Sequence, residues 1–348
     1  MDYKEFIEQV KRDLPERLAG DLKGASVADS HVEKLQNASY DGIDIRPENG
    51  SMGISMSMEG YFAAVENGAP YQEVISRIAR EAEESYRDRP AVSPEDYRDY
   101  EKMKQSLMVQ LVGQEGNESM LEKIPHQDMV DMAVVYWLDF SMTEDGRATA
   151  LITNGLLESY GISQEQLHRD AMEQAARKQP FEIRGMNELL AELMGGAAPM
   201  DGGRETMYVA SNPSHMFGAG VIAYPDFMEA AAEKIGGDFY VLPSSVHEVI
   251  LVPDDGKEMA SGLQAMVQDV NEKEVAPKER LSNGAYHYDS RDKVFERADR
   301  FEERRAEKEK EKGGGERSSV LGELSGRKKE CSERPRKEPS RRREDIEL

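Results

Sequence analysis

Met207-Tyr-Val-Ala-Ser-Asn212, a loop holding Phe217-Gly-Ala-Gly220, and Asp238-Phe-Tyr-Val-Leu-Pro-Ser-Ser-Val-His-Glu-Val-Ile-Leu-Val-Pro253 are the residues around which the rest of this chain is built. Tyr208 to Ala210 and Phe239 to Leu242 are aromatic and β-branched runs of strand length. Between them Phe227, Ala231 and Ile235 recur every four residues, which puts them on one helical face. Pro225 suits the first turn of that helix and Gly236-Gly237 its end. Leu242-Pro243-Ser244-Ser245 suits a tight turn, because proline presets φ at the second position. Apolar β-branched residues resume from Val246 to Val252. The stretch therefore predicts a β-hairpin whose tip carries the serines, with His247 and Glu248 opening its second strand.

The same stretch gathers the unusual polar side chains. Ser244, Ser245, His247 and His215 are the candidates for chemistry, and Asn212, Ser244, Ser245, His247 and Glu248 the candidates for binding. On one strand Ser245 and His247 would share a face but stand roughly 6.6 Å apart. A base must come within about 3 Å of the proton it removes. His247 and Glu248 are adjacent, so on a strand they point to opposite faces. A serine–histidine pair would thus need His215, carried in by the loop after the Met207 run. The plainer alternative is that the serines cap turn N–H groups and His247 packs at a sheet edge.

Ser211-Asn212 through Phe217-Gly-Ala, then Leu242-Pro-Ser-Ser-x-His-Glu-x-Ile250, resembles an uncharacterised bacterial family of unknown function, often carried on mobile elements of gut anaerobes. The resemblance extends from the N-terminus to about Asp289. It takes in Ile124-Pro-His126, Asp131-Met-Ala-Val-Val-Tyr136 and Leu281-Ser-Asn-Gly-Ala-Tyr286. It implies an extent and a context, and no activity, cofactor or catalytic residue.

With 348 residues, 38% apolar and 32% charged, the chain is long enough for an ample core and polar enough that part of it stays unpacked. Its formal charge is −23, yet residues 291–348 hold 19 basic and 16 acidic side chains. The body to Ser290 therefore carries 26 basic against 52 acidic residues. A surface of that sign repels nucleic-acid phosphate and anionic lipid, which argues against nucleic-acid binding through the body. The single cysteine, Cys331, leaves no intrachain disulfide or cysteine-based zinc site and fits a reducing cytosol. No signal-peptide pattern opens the chain, and no apolar run approaches the ~20 residues of a membrane span. A cytoplasmic location is expected.

Elsewhere the pattern is of hairpins and amphipathic helices. Phe6, Val10 and Leu14 predict an opening helix that ends near Gly20 or Gly24. Met52, Ile54, Met56 and Met58 alternate with small polar residues, as on a half-buried strand, and Glu48-Asn49-Gly50 would join it to Ile43–Arg46 as a hairpin. Tyr61, Phe62 and Val65 precede Gly68, and Pro70 opens a helix with the stripe Tyr71, Val74, Ile75, Ile78, Ala79 and Ala82. Arg89-Pro90 to Ser93-Pro94 is the best internal boundary, with Ser93 as an N-cap. Leu107–Val112 and Met132–Phe140 are central strands, and Thr143-Glu-Asp-Gly146 turns into Ala148–Ile152. Ser163-x-x-Gln166 opens a helix, and Met186–Met194 is another, before a flexible loop from Gly195 to Gly203. Met259, Leu263, Met266, Val267 and Val270 make one more helix, and Ala285–Tyr288 a short edge strand. From Arg297 alternating charges predict a solvated helix, stopped by Gly313-Gly-Gly315, and then a disordered tail.

The fold expected is α+β: mixed or antiparallel sheets built from hairpins, with packed helices and a charged, disordered C-terminal tail. The expected units are an N-terminal α+β subdomain (1–90), a main α+β domain (91–290) and the tail (291–348). No phosphate loop is present, and His247-Glu248 lacks the second histidine of a helical zinc site. No metal or cofactor is expected from the spacing of the six histidines. His126 is a further candidate, with a backbone-bonded histidine as its plainer reading. Three functions stay open: a noncatalytic cytosolic module binding a partner protein or small ligand, a serine-hydrolase-like enzyme, and an acidic decoy that imitates DNA.

Overall fold

A reciprocal cap starts the first helix, Tyr3–Asp13: the Asp2 carboxylate accepts from Glu5 N–H at 2.8 Å, and the Glu5 carboxylate accepts from Asp2 N–H at 3.0 Å. The computed structural model describes residues 1–310 other than 37, 49–52, 90–91, 144–145, 196–204 and 258. This helix ends at Asp13, not at Gly20 or Gly24, because Pro15 has no N–H with which to continue the ladder. Three strands follow: β1 (Ser26–Lys34), β2 (Ala38–Arg46) and β3 (Ile54–Ser57), in that order across an antiparallel sheet. The β2–β3 pairing runs from Gly42 opposite Ser57 to Ile45 opposite Ile54, as the methionine alternation predicts. Met52 and the turn residues Asn49 and Gly50 lie outside the described residues. One face of the sheet meets the helices Tyr3–Asp13, Glu59–Glu66 and Tyr71–Arg87. There Phe6, Val10, Ile43, Ile45, Ile75 and Ile78 are wholly buried.

The β1–β2 turn reaches into a different cluster. Leu35 packs with Val112, Leu121, Ile124 and Val135, and Asn117 Nδ2 donates to Gln36 Oε1 at 3.1 Å. Ser93 accepts from Asp96 N–H at 3.0 Å, the expected N-cap, on a helix of only four residues, Pro94–Tyr97. Next come β4 (Leu107–Gly113), β5 (His126–Met129), β6 (Met132–Thr143) and β7 (Gly146–Leu151). The long β6 is central: β4 pairs along one edge, and β5 and β7 share the other. Its alternate residues Val134, Tyr136 and Leu138 face the main core, while Ala133, Val135 and Trp137 face the cluster around Leu35.

The last sheet has six antiparallel strands: β8 (Glu182–Gly185), β9 (Tyr208–Ser211), β10 (Phe239–Leu242), β11 (Val249–Pro253), β12 (Tyr286–Asp289) and β13 (Val294–Arg297). Their spatial order is β13-β12-β10-β11-β9-β8. β12 is interior rather than an edge strand, because the segment 294–297, at whose last residue, Arg297, the charge pattern predicts the start of a solvated helix, pairs with it. The main core lies between this sheet's inner face (Ala210, Val241, Val249, Leu251), the β4–β6 face, and the helix Gln164–Lys178 with its buried Leu167, Ala171 and Ala175. A 3-10 turn, Gly218–Ala223, bridges the two sheets, against both β4 and β9. On the other face of the six-stranded sheet the helix Ala260–Lys273 covers β10, and the helix Met186–Leu193 lies beside β8.

The α+β class with hairpin-built antiparallel sheets and packed helices is thus the fold observed. Residues from Met1 to Arg297 form one compact unit, and Ala298 begins a second. In the second, residues 298–310 are helical and carry the i,i+3 and i,i+4 pairs Arg300–Glu303 and Arg305–Glu309. The expected tail beyond them, and most of the expected Gly195–Gly203 loop, fall outside the described residues.

Candidate functional site

Six residues, Pro243 to Glu248, join β10 to β11, so the hairpin has a long connection and not a tight turn. The second strand begins at Val249, three residues later than the valine pattern indicates. The cause is a neighbouring segment that takes up the connection's backbone groups. Pro243 O accepts from Ser282 N–H (3.1 Å), Ser244 O from Leu281 N–H (3.1 Å), and Val246 N–H donates to Glu279 O (2.9 Å). Ser245 forms an isolated antiparallel bridge with Arg280. Val246 turns inward and is part of the main core. His247 and Glu248 lie in this connection, before the strand.

The loop after β9 comes to the same place. His247 Nδ1 lies 3.1 Å from His215 O; a carbonyl only accepts, so Nδ1 is the donor. Ser211 Oγ donates to His247 O at 2.8 Å, and Ser245 Oγ accepts from His247 N–H at 3.1 Å. The Phe217 ring stacks on His247 (centroids 6.4 Å, 8°) and on Trp137 (5.8 Å, 27°). Gly218 allows this approach: a Cβ there would fall 2.0 Å from Ser211 Oγ and 2.3 Å from His247 O. Asn212 is buried and organises the loop, donating from Nδ2 to Met216 O (2.9 Å) and accepting at Oδ1 from Ser214 Oγ (3.0 Å). His215 and Phe217 hold left-handed backbone, φ 53° and 54°, a conformation costing roughly 1–2 kcal/mol for a residue with a Cβ.

Of the candidate residues, Ser245, His247 and His215 therefore meet, each contact using a main-chain atom, and Asn212 holds the loop that brings His215 in. Among the described residues no serine hydroxyl is hydrogen-bonded to the ring of His215 or His247. The main chains of Ser244 and Ser245 pair with residues 280 and 281, whereas His215 and Glu248 border a cleft.

That cleft, about 460 Å³, lies over the outer face of β8, β9 and β11. Its floor is a cross-strand row: Ile250 opposite Val209, and Val209 opposite Arg184. Its wall is the stripe Met186, Leu189, Leu190 and Leu193 of the adjoining helix. Leu190 is 42% and Leu193 84% exposed, so the stripe faces open space rather than core. Glu182, Glu192 and Glu248 stand at the rim. Arg184 donates to Glu188 (3.1 Å) and Glu192 (2.5 Å), and both carboxylates favour its charged form. Of this cleft the sequence reading had only His215 and Glu248. Ser211, Val209, Ile250 and the helix wall were missed, although the four apolar wall residues and the i,i+4,i+8 row Arg184, Glu188, Glu192 are visible signals.

A second, more polar cavity of about 530 Å³ lies between the end of β4 and residues 277–283. Asp131 borders it, accepting from Tyr286 Oη and from Arg297 Nη1 (2.7 Å); Ser282 Oγ lies 2.8 Å from Tyr286 Oη. Burial, reinforced by Asp131, pushes the Tyr286 hydroxyl well above the usual tyrosine range, so it stays protonated. His126 Nδ1 donates to Ile124 O at 3.1 Å, and the side chain is partly exposed. Among the described residues no three His, Cys, Asp or Glu side chains are grouped to hold a metal, and no helix is long and apolar enough to cross a membrane.

Residues 3–290 match the model of a family described as "Family of unknown function (DUF5688)". No curated protein and no solved structure matches the chain. The chain belongs to this family, over the extent that the resemblance implied.

Proposed function

From membership of a family without an assigned activity, we propose that the protein is a noncatalytic binding module whose ligand lies in the cleft over β8, β9 and β11. One observation carries this: an apolar floor and an apolar helix stripe face the same 460 Å³ of open space, on a sheet whose opposite face is already core. Apolar surface left wet in this way favours a ligand that covers it, by about 25 cal/mol per Å² of apolar area removed from water. Covering on the order of 200 Å² would then supply about 5 kcal/mol. The volume is within the range of ligand sites, roughly 300–1,000 Å³. Catalysis by a serine is less well supported, since the Ser211 and Ser245 hydroxyls are engaged with backbone partners. A cytoplasmic setting agrees with the lone cysteine and the acidic body.

The test uses the neutral fluorophore N-phenyl-1-naphthylamine on the full chain. Saturable binding is expected, lost in Ile250→Asp and weakened in Leu193→Ser, with unchanged far-ultraviolet circular dichroism. A fluorophosphonate probe is expected to label neither Ser244 nor Ser245. Absence of dye binding, or equal binding by both variants, would overturn the reading.

A further inference from the structure

Resting on that reading, we infer that the cleft takes a segment of a partner protein whose apolar side chains are flanked by lysine or arginine, laid on the sheet's face rather than added to its edge. The edge is closed. Met186 N–H donates to Met207 O, and residues 184 and 182 stand opposite 209 and 211. The alternation of an antiparallel ladder therefore points the main-chain groups of Ile183 and Gly185 away from β9. One of these groups is already taken: Lys234 Nζ donates to Ile183 O. Glu205 lies against the face of Gly185, where a Cβ would fall 2.4 Å from its Oε2, and the same carboxylate accepts Asn187 N–H at 2.9 Å. A strand adding itself to β8 would have to displace the charged Lys234 side chain.

Among the described residues the face is open, and its charge selects the partner. The only guanidinium at the rim among the described residues, that of Arg184, is held by Glu188 and Glu192. Among the described residues Glu182 and Glu248 have no ion-pair partner. One cation thus meets three rim carboxylates, Glu182, Glu192 and Glu248, around an apolar floor, with Glu188 behind them also paired to it. Lysine and arginine suit such a rim, because their stems cover apolar surface while their heads reach outward to acids. The charge of the body argues against a second copy of the chain as occupant: with 52 acidic and 26 basic residues to Ser290, two bodies repel each other.

The experiment compares three fluorescein-labelled dodecapeptides with the full chain at physiological salt: alternating Leu/Lys, alternating Leu/Glu, and alternating Ser/Lys. Leu/Lys is expected to bind at least about tenfold more tightly than either of the others. Binding should be lost in Ile250→Asp and weakened in Leu193→Ser, an exposed position that folding tolerates. Glu182→Lys/Glu248→Lys should weaken Leu/Lys about tenfold and improve Leu/Glu. Equal binding of Leu/Lys and Leu/Glu, both sensitive to Ile250→Asp, would overturn the basic partner and leave the cleft reading standing. Ser/Lys binding as well as Leu/Lys would reduce the effect to general attraction by an acidic surface and overturn the inference. Dye binding without any peptide binding would overturn a protein segment as the occupant. Failure of the dye itself removes the cleft reading and this inference together.

Discussion

Replacing Gly218 by alanine puts a methyl group where other atoms already are. The new Cβ would lie 2.0 Å from Ser211 Oγ, 2.3 Å from His247 O and 3.0 Å from Asn212 N. Heavy atoms in contact sit at about 3.5 Å, so the first two neighbours must retreat by more than about 1 Å. Gly218 is not in left-handed backbone, so the cost is steric and not conformational. The Ser211 hydroxyl can rotate away, at the loss of its 2.8 Å bond to His247 O; the carbonyl cannot. Overpacking costs roughly 1–3 kcal/mol and a lost hydrogen bond roughly 0.5–1.5, which gives about 2–4 kcal/mol. That is a large share of the ~5–15 kcal/mol that holds a typical domain folded. Urea unfolding followed by tryptophan fluorescence measures it locally, because the only tryptophan, Trp137, stacks on Phe217 at 5.8 Å. Ser211→Gly in the same background removes the 2.0 Å clash and leaves the 2.3 Å one, so recovery should be partial. A Gly218→Ala variant within about 0.5 kcal/mol of wild type, or complete recovery by Ser211→Gly, would refute this account of how the loop, β9 and the 243–248 connection are held together.

Tyr286→Phe takes one donor from Asp131 and the partner from Ser282; thermal unfolding should show a loss of about 1–2 kcal/mol, and no loss would mean that Arg297 alone satisfies the carboxylate. His168 is paired with Tyr136 Oη at 2.9 Å, and burial lowers its pKa from 6.5. The unfolded chain then binds more protons than the folded one in the window just below that value. Its contribution is therefore full above about pH 6.5 and is lost as pH falls through the folded pKa; His168→Gln should flatten the slope in urea midpoints between pH 7 and 5. Lys234→Ala uncovers Ile183 O at the β8 edge, so sedimentation should reveal concentration-dependent association that wild type lacks.

Much of the fold was legible because single-faced elements announce their period. The stripe Val74, Ile75, Ile78, Ala79 and Ala82 and the alternation through Ile54 and Met56 each bury one side, and each lies where its pattern put it. β1, β5 and β8 gave no such signal. Ser26–Lys34 is wet on both faces, so nothing in its sequence repeats every two residues, and its partner β2 defines it as a strand. β13 gave no signal either: Val294–Arg297 is only four residues long and runs into the alternating Glu/Arg/Lys region that starts at Arg297, and pairing with the buried β12 defines it. The 243–248 connection misled for a related reason. Val246 reads as strand by composition, yet it is buried by turning inward while its N–H is taken by Glu279 O.

The site was harder to see, because what draws attention in a sequence is not what the cleft is made of. Serines and histidines near a proline suggest chemistry, but here their polar groups largely meet one another's backbone, which is how a buried connection satisfies its own donors and acceptors. Val209 and Ile250 look like ordinary strand residues, and Leu189, Leu190 and Leu193 like an ordinary packing stripe. Only the sheet order shows that the residues of β9 and β11 alternating with Ala210, Val249 and Leu251 have, among the described residues, no layer over them at this end. A helix whose apolar face overhangs the cleft, beside an edge capped at Ile183 O by Lys234, is arranged to receive side chains without receiving a strand. The closed edge and the wet floor depend on different residues, so Lys234→Ala and Leu193→Ser should act separately: the first on self-association, the second on ligand capture. If uncapping the edge also abolished dye binding, the two features would be one, and the division between a protected edge and a receptive face would fail.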